Sequence, residues 1–306
     1  MAKRPFRFGV QHQSLTLEDW REHIKRSEDI GFDILFMQDH FVPQMAPLLA
    51  LTYAASVSSR LRLGTLVLDN DLRHPAMVAK EAATLDVLSG GRLELGLGAG
   101  WMMVDYDGTG IPFDPPATRF QRMKETAAIV KSYFTAPEKL TYAGRLYQIK
   151  DLDTSPKPVQ TPHPPILIGG RQKSMLSLAA READIVSISM LDRRGPDLPK
   201  PPTFAEKVSW VREAAGARLD ALEIHVNASN IQVTDDARGA IEALSQRLGL
   251  TPEEALLSPA NLIGSVDEIV ERMHQWREET GLSFYNISTR ALTPGVAQVV
   301  AKASGK

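Results

Sequence analysis

Eight times along this chain a short apolar run that reads as a β-strand alternates with a segment of helical periodicity, and this alternation limits the fold more than any other feature. The runs are FRFGVQ (6–11), FDILFMQ (32–38), LRLGTLVL (61–68), RLELGLGAG (92–100), ILIGG (166–170), DIVSIS (184–189), EIHVNASNIQV (223–233) and FYNIS (284–288). Helices are predicted over 17–31, 47–59, 75–91, 116–134, 172–182, 203–217, 235–257 and 265–280, with a short one at the end. The segment 75–91 opens on proline and closes on glycine, as helix ends prefer. These helices are long enough to carry right-handed crossovers between parallel strands. Eight repeats in 306 residues fit an α/β (β/α)8 TIM barrel better than an open sheet.

The alternation breaks once. KLTYAGRLYQIK (139–150) reads as a β-hairpin turning at Ala143–Gly144, and the proline-rich connector SPKPVQTPHPP (155–165) follows. The expectation is a single domain over 1–306 with an insertion after the fourth helix, at approximately 135–165, because a barrel needs the strands on both sides. An open dinucleotide-binding sheet would require G-x-G-x-x-G; GLGAG (96–100) lacks that spacing and runs into Trp101, Met102 and Met103.

Composition removes several function classes. A formal net charge of −2 gives no electrostatic reason to expect nucleic acid or an anionic membrane as partner. The absence of cysteine excludes disulfides, thiolate catalysis and cysteine-ligated metal centres. The N-terminal MAKRPFRFGVQHQS carries basic residues without an apolar region after them, and no run approaches the ~18 apolar residues of a membrane span. A cytoplasmic protein is expected.

In a barrel, chemistry sits where the strands end at their C-terminal face. ILFMQDHF (34–41) passes from four apolar residues into Gln38, Asp39 and His40. By strand alternation Ile34, Phe36, Gln38 and His40 share one face, so His40 would emerge at the barrel mouth, with Leu35, Met37 and Asp39 on the other face. Two readings stay open: a catalytic histidine, or a histidine and aspartate that bond the loop. LVLDNDLRHP (66–75) brings Asp69, Asn70, Arg73 and His74 to the same face, GAGWMM (98–103) brings two glycines, and the first strand ends in Gln11, His12 and Gln13. IGGRQKS (168–174) sets Gly169 and Gly170 before a helix N-terminus with Arg171 and Lys173 nearby, which is either an anion site or an ordinary strand-to-helix turn. Arg62 and Glu94, near the starts of adjacent strands, are expected to pair inside the barrel as structure.

Rival chemistries find less support. The seven histidines (His12, His23, His40, His74, His163, His225 and His274) are isolated in sequence, so no metal site is expected. No carboxylate pair stands out for glycoside hydrolysis, and a G-x-S-x-G elbow is absent. Phe41, Met45, Trp101, Met102 and Met103 with one histidine and a phosphate-sized glycine site suit a flat redox cofactor with a phosphate tail, although such residues also serve as core.

The blocks QDHF (38–41), LRLGTLVLDNDLRHPAMVAKEAATLDVLSGGRLELGLGAGW (61–101), HPPILIGG (163–170) and LIGSVDEIVERM (262–273) resemble the luciferase-like monooxygenase superfamily, and within it the branch that uses the deazaflavin coenzyme F420. The resemblance covers nearly the whole chain and implies a bacterial luciferase-like barrel, an F420-dependent oxidoreductase transferring a hydride to or from an organic substrate. It implies His40 as the catalytic residue, Asp39 and Asp69 beside the cofactor, and a non-prolyl cis peptide at Leu66–Val67 against the ring. It also implies phosphate binding by the backbone around Ala99 and Gly100 and around Gly169 and Gly170. Sugar-phosphate dehydrogenases of the branch carry tryptophan where this chain has Gln44 and glutamate where it has Trp101. Those departures speak against glucose 6-phosphate, and Trp101 suggests a bulky apolar or aromatic substrate over the ring. The alternatives are an FMN-dependent monooxygenase fed by a separate flavin reductase, and a non-catalytic flavin-binding barrel. Members of the superfamily are often dimers, so a homodimer is expected.

Overall fold

The computed structural model describes residues 3–191 and 200–305. Eight parallel barrel strands appear in chain order: Arg7–Gln11, Ile34–Met37, Arg62–Thr65 continued by Leu68–Asp69, Leu93–Gly98, Ile166–Gly170, Ile185–Ile188, Glu223–Ala228 and Leu282–Ser288. The hydrogen-bonded order is third, second, first, eighth, seventh, sixth, fifth, fourth and back to the third, which closes the sheet as a (β/α)8 barrel. The third strand is in two pieces, and the Leu66–Val67 peptide between them is cis, as the resemblance implied.

The chain divides into two compact units, one made of residues up to His12, Arg26–Ile34 and Gly169 onward, the other of Gln13–Lys25 and Leu35–Ile168. In the first unit the first and eighth strands pair from Arg7↔Phe284 to Gln11↔Ser288, and the seventh joins with Asn227↔Asn286. One face of this sheet is apolar and turns to the helices: Tyr285 stacks on Phe8 at 6.3 Å, and Phe6 meets His274 of the helix Val266–Thr280 edge-on at 5.0 Å. The opposite, interior face is polar. Arg7 pairs with Glu223 at 2.7 Å and lies over Phe284, while His225 meets Ser187 Oγ at 2.8 Å. Burial, aided by the Arg7 charge, pushes His225 down to about 3, so it sits there as a neutral ring.

Capping accounts for the LIGSVDE block. Ser265 Oγ accepts the Glu268 N–H, and Glu268 Oε2 accepts the Ser265 N–H at 2.7 Å, a reciprocal capping box that starts Val266–Thr280. EIHVNASNIQV, expected as one strand, is two. The barrel strand stops at Ala228, and Asn230–Val233 leaves to pair with Asn261–Gly264 in a small parallel sheet. The four-residue partner is too short to leave a periodic signal.

In the second unit Arg62 and Glu94 pair as expected, and Arg62 also donates to Gln160 Oε1 at 2.9 Å. Gly96 is required by its neighbour: a Cβ there would lie 1.9 Å from the Thr65 carbonyl oxygen. The helix Pro75–Ser89 has proline in its first turn and ends at Gly90, whose φ of +66° is the left-handed cap. The insertion is an antiparallel hairpin, Lys139–Ala143 with Gln148–Asp153. Buried Glu125 of the helix Pro116–Thr135 holds its turn by accepting N–H groups of Arg145, Leu146 and Tyr147 at 3.0 Å each. Asp86 anchors the connector in the same manner, through the N–H groups of Val159 and Gln160. Among the described residues no helix is long and apolar enough to cross a membrane.

Candidate active site

The second strand ends at Met37, all four of its residues buried, so the alternation expected to carry His40 to the mouth stops three residues short of it. A loop bends the chain instead. Gln44 Nε2 donates to the carbonyls of Gln38 (2.8 Å) and His40 (3.3 Å), folding the loop on itself. Asp105 then fixes the ring. Its Oδ2 lies 2.7 Å from His40 Nδ1, and its Oδ1 accepts the Phe41 N–H at 2.7 Å. With both Asp105 oxygens accepting, Nδ1 carries a proton and Nε2 is the nitrogen left for a ligand. Asp105 is fully buried, and the His40 side chain is 13% exposed. Trp101 meets the imidazole edge-on at 5.8 Å and is itself 66% exposed, so an indole surface stands open beside the histidine.

Asp105 and Tyr106 belong to a helix, Met103–Thr109, that the sequence reading does not contain. Beneath it lies a network of acids and arginines in which Asp39, Asp69 and Tyr106 are buried and Arg73, Asp71, Arg122 and Asp114 half-buried. Arg73 forms a two-pronged pair with Asp39, and the Asp69 N–H donates to Asp39 Oδ2 at 3.0 Å, so the Asp39 carboxylate is taken up in joining the second and third strand ends. Tyr106 O–H reaches Asp71 Oδ2 (3.0 Å) and Asp69 Oδ2 (3.3 Å), and Arg122 pairs with Asp71 (2.6 Å) and with Asp114. Burial pushes the Asp69 carboxyl up to about 6; the Asp71 N–H opposes this, and the Asp71 and Asp39 charges add to it. Burial, then the Asp69 and Asp71 charges, also hold the Tyr106 phenol above its usual range.

Gly100 rests on this network. Its φ is +71°, and a Cβ would fall 1.8 Å from the Tyr106 hydroxyl oxygen, so only glycine lets the loop before Trp101 lie so close. Arg119 donates to the carbonyls of Ala99 and Gly100 from behind and stacks over Phe113 at 4.1 Å. The second unit thus gathers His40, Asp39, Leu66, Val67, Asp69, Ala99, Gly100 and Trp101 around the ends of its second, third and fourth strands.

Gly169 and Gly170 end the fifth strand in the first unit. A Cβ at Gly170 would lie 2.4 Å from Met175 Cγ, so glycine serves helix packing there. Arg171 donates to the Leu191 carbonyl and Lys173 pairs with Glu213 at 2.9 Å, which engages both cations of the expected anion site. His74 is a cap: its Nδ1 accepts the Ala76 N–H at 3.2 Å. Sequence reasoning missed Asp105, Tyr106, Arg119 and Arg122. The one available signal was GWMMVDYDGTG (100–110), where Asp105 and Tyr106 stand in a segment of only seven helical residues.

Fold and site together define a parallel (β/α)8 barrel with a histidine–aspartate pair and an open indole at its C-terminal strand ends. The chain belongs to the luciferase-like monooxygenase family, whose family model matches residues 4–248. It is 35% identical over 191 residues to an F420-dependent glucose-6-phosphate dehydrogenase of Microbacterium testaceum, covering 59% of this chain and 55% of that protein. To an FMNH2-dependent dimethylsulfone monooxygenase of Pseudomonas putida it is 29% identical over 154 residues, 50% of this chain and 40% of the other. The chain thus spans about half the length of the curated relatives it matches. The F420-dependent tetrahydromethanopterin reductase of Methanopyrus kandleri shares the fold, with a TM-score of 0.76 and 19% identity over 99% of both chains.

Proposed function

We propose that this chain is an F420-dependent oxidoreductase in which His40 handles the proton that accompanies hydride transfer to or from an apolar or aromatic substrate. The observation that carries the reading is the His40–Asp105 pair, 2.7 Å apart through Nδ1, with the exposed Trp101 ring edge-on to the imidazole at 5.8 Å. The residues present also fit a flat ring bearing N–H donors. Gln44 Oε1 and Asn70 Oδ1 are buried acceptors that receive no hydrogen bond among the described residues, and such groups cost free energy until a donor meets them. Leu66, Val67, Ala99, Gly100 and Trp101 would line the ring, and Arg119 and Tyr106 would hold that lining in place.

When bound, the deazaflavin supplies the carbon that gives or takes the hydride. The protein does the rest. Asp105 fixes the tautomer and orientation of His40, Nε2 accepts a proton from the reacting group or returns one to it, and Trp101 keeps an apolar substrate against the ring and water away from it. Gln44 and Trp101 stand where the sugar-phosphate dehydrogenases carry other residues, so glucose 6-phosphate, named for two relatives, is not the substrate proposed.

A second reading has one observation in its favour, the relative named as FMNH2-dependent. There the cofactor is FMN, and a separate reductase supplies it reduced. Titration of the purified protein with F420 and, separately, with FMN, followed by cofactor fluorescence, decides between them. Tight F420 and weak FMN binding supports the first reading. The reverse order overturns it and turns the search to oxygen consumption, and binding of neither removes both.

A further inference from the structure

EIHVNASNIQV breaks at Ala228, and the chain after the break builds a cleft that lies wholly within the first unit. The short strand Asn230–Val233 and its partner strand line it, together with the helix Ala237–Leu248. That helix contributes Ala240, Ala243, Leu244 and Arg247, the spacing of a single helical face. The segment after the eighth strand adds Arg290. The cavity measures about 560 Å³, inside the span of roughly 300–1,000 Å³ that small-molecule sites occupy. Ile231, Leu244 and Ile263 are buried in it, whereas Arg247 and Arg290 are exposed, so an apolar floor lies below a cationic rim. No carboxylate is among the described residues that line it.

Arg247 is held in place. Asn261 Nδ2 donates to the Ala255 carbonyl at 2.7 Å, Asn230 Nδ2 donates to Asn261 Oδ1 at 2.8 Å, and Arg247 Nη2 donates to Asn230 Oδ1 at 2.7 Å. This chain of hydrogen bonds begins on a buried amide and ends on an exposed guanidinium. Fixing a mobile surface arginine would oppose ligand binding through lost rotamer freedom. Here the fold has fixed it beforehand, and among the described residues the rest of the fork has no partner. We propose that this cleft binds a small carboxylic acid with an apolar body, its carboxylate on Arg247 and its body over Ile231, Leu244 and Ile263. A guanidinium fork matches the edge of a carboxylate with parallel N–H···O bonds. The short side chains of Ala240 and Ala243 leave room for the body. Inorganic phosphate has no apolar part to cover the floor, so it gains only the charge. The site is independent of the F420 reading, because no hydride step enters it.

Methyl NMR on the whole chain, with isoleucine and leucine methyls labelled, tests this at constant salt with octanoate, octanamide and inorganic phosphate as probes. Octanoate should shift the Ile231 and Ile263 signals, identified through Ile231→Val and Ile263→Val. It should bind roughly three- to fivefold more tightly than octanamide, near the top of the range for a solvent-facing ion pair. Arg247→Gln should bring acid and amide to within about 1.5-fold of each other. Ala243→Trp, which fills the cleft from an exposed position, should abolish the shifts for both. Shifts confined to other methyls, equal binding of acid and amide to wild type, or a preference unchanged in Arg247→Gln overturns the proposal. So does phosphate that binds as tightly as octanoate, or binding of no probe. Neither F420 nor FMN enters the titrations, so failure of the F420 reading and failure of this inference are separate results.

Discussion

Replacing Asp105 by asparagine should reverse the tautomer of His40. The change is nearly isosteric and fully buried, so the loop keeps its packing, and the amide oxygen can still accept the Phe41 N–H now held at 2.7 Å. The amide NH2 then faces His40 Nδ1, which must accept rather than donate, and the proton moves to Nε2. A hydrogen bond to a charged acceptor contributes about 1.5–3 kcal/mol, which is roughly 10- to 150-fold in the tautomer equilibrium. Long-range nitrogen–proton NMR on histidine-labelled protein reads the tautomer directly, with His40→Gln identifying the signal. Wild type should show the proton on Nδ1 and Asp105→Asn the proton on Nε2, with at least a tenfold drop in whatever turnover the protein supports. An unchanged His40 tautomer in the variant would refute the role given to Asp105.

Asp69 ties stability to pH. Its folded value of about 6 lies above the ordinary 3.8, so between those values the folded state binds more protons than the unfolded one, and stability falls as pH rises through that window. The gap corresponds to about 3 kcal/mol. Asp69→Asn should therefore gain about that much on wild type between pH 4 and pH 7 in urea unfolding; a difference independent of pH would contradict the burial argument. Glu125 has the opposite sign. Burial raises its carboxyl, but Gln121 and three backbone N–H groups outweigh that and hold it below its usual range. Its contribution is present at neutral pH and lost on acidification, and Glu125→Gln should cost about 1.5–3 kcal/mol and speed amide exchange at 145–147. Gly96→Ala brings a methyl to 1.9 Å from the Thr65 carbonyl oxygen, and a loss of about 1–3 kcal/mol or more is expected in thermal unfolding. An unchanged melting temperature would mean that the third and fourth strands separate freely there.

The barrel was legible because its signals are local. Each strand run is a short apolar block, and the proline-first, glycine-last helix 75–91 became Pro75–Ser89 with Gly90 as its left-handed cap. His40 was found from its place after an apolar strand, yet the reason first given, strand alternation, fails where the strand stops at Met37. Asp105 lies 65 positions from His40 in sequence, and only folding brings them to 2.7 Å. No periodicity reports such a pair. The helix carrying it is short and mostly polar, so it leaves little pattern. Similarly, the sequence offers Asp39 as a loop-bonding or cofactor-side carboxylate, and only the fold shows Arg73 and the Asp69 N–H using it. The cis Leu66–Val67 bond came through resemblance, since no composition or spacing rule marks it.

A crystal structure of the protein with F420 bound tests the central claim most directly. The account expects the ring to lie against Leu66–Val67 and Trp101, with Gln44 Oε1 or Asn70 Oδ1 meeting a ring N–H. It also expects His40 Nε2 within about 3–3.5 Å of the reacting group of a bound substrate or analogue. A ring bound away from these strand ends, or one that leaves Nε2 facing solvent with both orphaned acceptors still unmet, would contradict it.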